Sequence, residues 1–396
     1  MPPRRLLVWL WAVVWFAYGL SVLRSGVLTG VDTGLYSLWA DGLIAHRFNI
    51  ATFLQSQNFY IPPFLYTGWI VLVATLKSLF GGSWTTAVVV LNWLAVGAGL
   101  YAALSSIRRT TASAASLLLA FALFLAAGDL LIFMPFALSD LIFWGMATVV
   151  LVTGVALATK ERDHGHAMTT VLAGTVLVLF AMVFRPGGLT LVLFWSMAVV
   201  SWLGRDRFDR FAIPLFAAAA AIALLAIAWH AAIMVDPAVS PISGLSGYFD
   251  VLSRDYHAGV LVDAPESDLM VGPAVTWPGA MRLTTQKAFY FMTPWLPHYS
   301  RMHTLINLAF FIPAYGLTIA AAMNRNRLSA TQRRAVLLLL FFVANELFSH
   351  VLIQLDYDHR YRLPMLPALV MLAAIGLESI RRPPLQHAVN TPRRLV

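Results

Sequence analysis

Cysteine is missing altogether from the 396 residues, and charge is scarce, with 11% of positions Asp, Glu, Lys or Arg. The first absence excludes disulfides, thiolate metal sites and a cysteine nucleophile. The second excludes an ordinary soluble domain, in which about a quarter of the residues are charged. Also missing are a phosphate-cradling glycine loop, a zinc-protease helix and a serine-nucleophile elbow. Nucleotide hydrolysis and intramembrane proteolysis therefore have no recognisable machinery here. No tandem repeat, low-complexity tail or flexible linker breaks the chain, which reads as one domain.

What the chain has in quantity is apolar sequence, 60% of residues, with a mean hydropathy of +0.76. Runs long enough to cross a bilayer recur from end to end, so the expected fold is all-α and polytopic. The formal charge of +9 does not mark a nucleic-acid binder. Its basic residues come as short clusters between apolar segments, the pattern of loops on the cytoplasmic side of a membrane.

Met1–Arg5 is short and basic, and the apolar run Leu6–Leu23 has no small-residue cleavage site after it. That reads as a signal anchor with its amino end inside. Residues 24–85 then form a first outer region. Within it Leu35, Leu38, Trp39, Gly42 and Leu43 keep the spacing of one helical face, which predicts an amphipathic helix along the surface. Ile61–Phe80 opens with Pro62-Pro63 and carries Lys77, so it is expected to dip into the interface and return. Spans at Leu6–Leu23 and near 86–105, 113–128, 139–159, 167–184, 189–203, 211–234, 303–323, 335–355 and 364–380 then alternate, about ten in all. Arg108-Arg109, the clusters at 160–162, 205–210 and 325–334, and Arg381-Arg382 all face the cytoplasm in that arrangement. A second outer region, 235–302, holds Trp277-Pro278 and Pro294-Trp295-Leu296-Pro297 and is expected to cap a cavity with short helices. Residues 381–396 are expected to form a short cytoplasmic tail.

Several polar features fall on the outer side. They are Asp32 with Tyr36, Tyr60 before Pro62-Pro63, Ser139-Asp140, Phe184-Arg185-Pro186-Gly187, and the run from Asp356 to Arg362. Groups so distant in sequence, gathered on one side, point to a solvated mouth over a membrane cavity. Carboxylates and guanidiniums at headgroup depth suit transfer chemistry on a lipid-borne phosphate. A carboxylate takes the proton of an attacking hydroxyl, and cations steady the departing phosphate. Asp32 is the expected base, with Tyr36 one turn on and sharing its face. Asp41 points elsewhere, to solvent or a local cap.

Each of these residues also has a plainer reading. Asp32 also reads as a helix N-cap, Ser139-Asp140 as a helix start and Arg185 as a snorkelling anchor. Arg360 and Arg362 suit a phosphate, or pair with Asp356 and Asp358. Asp32 and Asp140 are also the candidates for holding a divalent ion, although no compact ligand motif surrounds them. Glu346, His350 and Gln354, inside a span at i, i+4 and i+8, read as an interhelical hydrogen-bonded stripe or as a functional site. His164 and His166 read as a solvated inner loop.

These residues resemble the GT-C superfamily of integral-membrane glycosyltransferases, which includes protein O-mannosyltransferases and lipid A aminoarabinose transferases. Asp32-Thr33-Gly34-Leu35-Tyr36 is similar to the first-loop acidic motif, with Thr33 where many members carry Glu. Tyr60-Ile61-Pro62-Pro63 is similar to the Tyr-x-Pro-Pro segment that follows, and Ser139-Asp140 to the second acidic site. Phe184-Arg185-Pro186-Gly187 sits where relatives carry a basic residue before glycine, and Arg360-Tyr361-Arg362-Leu363-Pro364 matches the Arg-Tyr-x-x-Pro of a late span.

The resemblance implies that residues 1–380 form a catalytic transmembrane domain. It would move a sugar, with inversion, from undecaprenyl- or decaprenyl-phosphate to a hydroxyl of a lipid, glycan or protein acceptor. Asp32 and Asp140 would be catalytic, and Tyr36, Tyr60, Arg185, Arg360, Tyr361 and Arg362 would hold the donor. No cofactor is implied beyond a divalent ion. The setting would be a bacterial inner membrane, with lipid around the protein and the site facing the periplasm. Two alternatives use similar outer loops. One is a glycan ligase or polymerase using lipid diphosphates; the other is a lipid-linked oligosaccharide flippase or transporter, which usually shows paired repeats of broken helices.

Overall fold

The computed structural model describes residues 3–56, 66–111, 113–159, 164–185, 187–204, 285, 288–295, 299–353 and 359–382, with backbone alone at 3–12, 31, 164–166, 352, 353 and 359. Of the described residues 88% are helical and none lies in a strand. The helices are α1 (Pro3–Ser25), α2 (Val31–Ala45), α3 (Ile50–Ser56), α4 (Thr67–Phe80), α5 (Trp84–Thr110), α6 (Ala114–Leu125) and α7 (Gly128–Ile132). They continue with α8 (Asp140–Thr159), α9 (His164–Phe184), α10 (Gly188–Leu203), α11 (Arg301–Met323), α12 (Ala330–Ile353) and α13 (Leu366–Arg381). A 3-10 turn, His359–Met365, leads into α13.

Six helical stretches are long and apolar enough to cross a membrane: Thr67–Thr110, Asp140–Thr159, Ala167–Phe184, Arg301–Met323, Ala330–Val351 and Arg360–Arg381. The expected ten are therefore not reached among the described residues: two of the expected spans are short helices, and Leu6–Leu23 and 211–234 are not wholly described. The run expected to span 113–128 is cut short, since α6 has 12 residues. At 1.5 Å each it is about 18 Å long, well under a bilayer core of about 30 Å. It stops where Gly128 and Asp129 turn aside, with Asp129 drawn into a buried polar cluster. Helix α10, with 16 residues, is also short. The expected span at 211–234 lies outside the described residues, as do Tyr60, Pro62-Pro63, Trp277-Pro278, Gln354, Asp356, Asp358 and the tail from 383.

Helix α13 is the axis of the bundle. Its sequence is apolar almost all round, and from Leu366 to Ile375 every residue is buried. A helix of that kind has to be enclosed on all sides, and α13 packs against α5, α6, α11 and α12. Gly376 allows the tightest of these crossings. A Cβ there would fall on the Leu317 carbonyl of α11, inside any allowed contact, so only hydrogen fits between the two backbones.

The two ends of the bundle differ in character. At one end α5 finishes with Arg108-Arg109, α12 begins, and α13 finishes with Arg381. Gln332 links all three by donating to the Thr110 carbonyl at 2.9 Å and to Glu378 at 3.3 Å while accepting from Arg382 at 3.2 Å. The other end is where α8 begins, α9 finishes and the 3-10 turn enters α13.

Helix α4 stays at that second end. Its first turn lies on the end of α9, where Trp69 meets Phe184 edge-on with centroids 5.5 Å apart. Its last turn reaches α2, where Lys77 donates to Ser37 Oγ at 2.9 Å and pairs with Asp41 at 2.5 Å. Gly81, at φ +55°, turns the chain into α5. Of Ile61–Phe80, expected to return without crossing, the described part forms α4 and runs through Gly81–Ser83 into α5, within the apolar stretch Thr67–Thr110.

Helix α2 forms as expected, but with a different face on the protein. Thr33, Tyr36, Ala40 and Leu43 are buried, whereas Leu35 and Leu38 are exposed. His164 begins α9, so the loop expected around His164 and His166 is helical there.

Candidate active site

Short backbone links bring the two acidic motifs together. Leu28, just after α1, forms an isolated parallel bridge with Phe136, just before α8. Its N–H donates to the Pro135 carbonyl at 2.9 Å, and the Ala137 N–H donates back to Leu28 at 3.3 Å. Thr33 strengthens the link. Its hydroxyl accepts from the Gly30 N–H at 3.1 Å and donates to the Ala137 carbonyl at 3.3 Å. Thr33 therefore ties the start of α2 to the approach to α8. Gly30 is the N-cap of α2, which frees Asp32 from that role.

Asp32 instead pairs with Arg360 at 2.5 Å, its side chain 33% exposed. Asp140 starts α8 and forms a second ion pair with Arg185, which also donates to Ser139 Oγ at 3.4 Å. Arg185 does not snorkel to solvent. It is turned inward at the end of α9 and is 9% exposed. The chain reverses sharply just beyond it, because a Cβ on Gly188 would strike the Ala181–Met182 backbone of α9. Tyr361 joins the two pairs, with the Arg185 and Arg360 guanidinium carbons 5.6 and 5.4 Å from its ring centroid. Tyr36 is buried beside them, stacked obliquely on Tyr66 at 6.2 Å and edge-on to Trp69 at 5.6 Å.

Electrostatics follow from this burial. Burial alone would lower the Arg185 pKa, but Asp140 and then the tyrosines outweigh it and raise it, so the guanidinium stays charged. Burial first, and then Tyr66, push the Tyr36 phenol up, with Arg185 opposing. Tyr66 is raised as well, again chiefly by burial.

An open cleft lies beside these groups, reached by Arg360 and Arg185 but not lined by Asp32 or Tyr36. Asp140, Arg185, Arg360 and Tyr361 line one part of it, and Glu346 and His350 of α12 another. Glu346 accepts a hydrogen bond from Thr190 of α10, and His350 stacks on Phe291 at 4.5 Å. The expected interhelical stripe therefore exists at Glu346 and also borders the cleft.

Arg362 is not in this cluster. It is 0% exposed and belongs to a separate buried network. Its Nε donates to Asp129 at 2.8 Å and its Nη1 to the Thr293 carbonyl at 2.6 Å, with the guanidinium 4.4 Å from the Phe311 centroid. His303 meets the other Asp129 oxygen at 2.9 Å and stacks on Tyr299 at 4.0 Å. Asn307, with its amide turned to suit its neighbours, closes the network between Asp129, Arg362 and His303. Asp129 and His303 were not among the expected residues. A carboxylate in the apolar run 114–138 was the available signal for the first.

As a divalent-ion site the cluster does not fit. Each candidate carboxylate already faces a guanidinium, and no group of three or more His, Asp or Glu gathers among the described residues. Comparison of the chain with family models, with curated proteins and with solved structures finds no match.

Proposed function

We propose that this chain is a membrane glycosyltransferase that moves a sugar from a polyprenyl phosphate to an acceptor hydroxyl, with Asp32 as the general base. One observation carries the reading. Two carboxylate–guanidinium pairs from four distant parts of the chain, Asp32–Arg360 and Asp140–Arg185, meet around Tyr361 at the mouth of a cleft, at one end of an apolar helical bundle. The resemblance to GT-C enzymes in these same residues supports it. The bundle would sit in a bacterial inner membrane with the cleft toward the periplasm.

The chemistry needs a base and a phosphate site that do not quench each other. As it arrives, the donor phosphate displaces Asp32 as the partner of Arg360, since a guanidinium fits phosphate oxygens at two points. Asp32, the more exposed of the two carboxylates, is then free to accept the proton of the acceptor hydroxyl. The acceptor oxygen bonds to the anomeric carbon from the face opposite the phosphate. The carbon–oxygen bond to the phosphate breaks, and its electron pair leaves on the phosphate oxygen. Arg360 and Arg185 steady that charge. Asp140 keeps Arg185 charged and aimed.

The test compares wild type with Asp32→Asn in native membranes supplied with radiolabelled polyprenyl-phosphate sugars. Transfer is expected to fall at least about a hundredfold. Wild-type transfer by a folded Asp32→Asn protein would remove Asp32 from the mechanism.

A further inference from the structure

The α12 side of the cleft has no part in the transfer step itself. Glu346, Ser349 and His350 lie at i, i+3 and i+4 on α12, and all three line the cleft. Glu346 is 6% exposed, and its Oε1 accepts from the Thr190 hydroxyl on α10. No described residue donates to its Oε2. A carboxyl group held at this depth is an expensive acceptor to leave unused. The placement also selects the ligand. Its bonded oxygen meets a neutral hydroxyl, and the other oxygen suits a donor of the same kind, such as a ring hydroxyl of a neutral sugar. The sugar of a polyprenyl-phosphate donor is joined directly to the phosphate. With that phosphate on Arg185 and Arg360, the ring hydroxyls fall toward α12.

We infer that Glu346, anchored by Thr190, accepts hydrogen bonds from ring hydroxyls of the donor, and with Ser349 and His350 forms a specificity subsite for a neutral sugar. The inference rests on the transfer reading, and its test separates the two. The probes are radiolabelled decaprenyl-phosphate pentoses and hexoses, their monodeoxy analogues and an amino-sugar counterpart. They are offered to membranes carrying wild type, Asp32→Asn, Glu346→Gln or Thr190→Val. Wild type is expected to prefer a neutral sugar over one of its deoxy analogues by at least about a hundredfold in kcat/KM. In Glu346→Gln that gap narrows to about tenfold or less, and the parent sugar is affected mainly through KM. Thr190→Val narrows the gap in the same direction by a smaller factor, so the outcome does not hang on one variant folding. Wild-type discrimination retained in both variants, with transfer intact, overturns the subsite alone. A preference for the amino sugar overturns its neutral class. Full transfer by Asp32→Asn, or no transfer of any probe by wild type, overturns the reaction beneath it and the subsite as well.

Discussion

Arg360 and Arg362 are two residues apart and live in different worlds. Arg360 faces a cleft and pairs with a carboxylate that is one-third exposed, whereas Arg362 is sealed from solvent with hydrogen bonds to Asp129 and the Thr293 carbonyl. The 3-10 turn explains the separation. At three residues per turn, positions i and i+2 point about 120° apart, so a single turn sends one guanidinium to the mouth and the other into the bundle. Under the proposed transfer reading, one motif serves both chemistry and architecture. A pair that must open to admit a ligand has to be weak and wet, and a pair that fixes the backbone beside it has to be strong and dry.

The buried network should break hardest. Asp129→Ala leaves the Arg362 guanidinium inside the bundle without its counter-charge. Stranding one partner of a buried pair costs about 3–5 kcal/mol. Thermal and denaturant unfolding in detergent reads this directly. A loss under about 1 kcal/mol would mean that Arg362 finds water once Asp129 is gone. The cleft pair reverses the pattern. Asp32→Asn, with its hundredfold loss of transfer, should cost about 1 kcal/mol of stability or less, because a partly exposed ion pair contributes little. Large unfolding in that variant would place Asp32 with the architecture instead.

The same divide sets what could be read from the chain alone. Asp32, Asp140, Arg185 and Arg360 were legible because charges flanking apolar runs are rare and sort to one end. Their pairing was not, since Arg360 had Asp356 and Asp358 as nearer candidates in sequence. Asp32 is brought into the cluster beside a backbone link, Leu28 to Phe136, that leaves no trace in composition or periodicity. Tyr361 and Arg362 were assigned a single role because a motif read as letters does not show the 3-10 turn that parts them. The helical class was plain from hydropathy, but the break after α6 was not. Helix α6 ends early because of Asp129, and its partners Arg362 and His303 lie far along the chain.

Depth also governs how the site end responds to pH. The Tyr36 and Tyr66 phenols are both raised, by burial first, so the folded state holds their protons more tightly than the unfolded chain does. Their contribution is complete below the ordinary tyrosine pKa of about 10 and is lost as pH rises above it, at about 1.4 kcal/mol per pH unit for each group. Tyr36→Phe removes one such group. Its stability should therefore fall less steeply between about pH 10 and 11.5, by that amount per unit. Equal slopes for the variant and wild type would show that the Tyr36 hydroxyl reaches water and is not sealed against Trp69.

The shallowest pair completes the series. Asp41 meets Lys77 at 2.5 Å, yet its side chain is 58% exposed. It is neither a cap nor simply solvated, the two roles expected of it. Lys77 does not depend on it, because the ammonium also donates to Ser37 Oγ at 2.9 Å and to the Ser37 carbonyl at 3.2 Å, and lies 5.8 Å from the Trp84 ring centroid. Asp41→Asn should therefore change stability by about 0.5 kcal/mol or less, and that small difference should shrink further in about 1 M salt, where the screening length is roughly 3 Å. Transfer should stay at the wild-type rate, since Asp41 lies about half a turn round α2 from Asp32. A large loss of transfer in Asp41→Asn would move the reacting carboxylate along α2 and dissolve the contrast between the cleft pair and the surface pair.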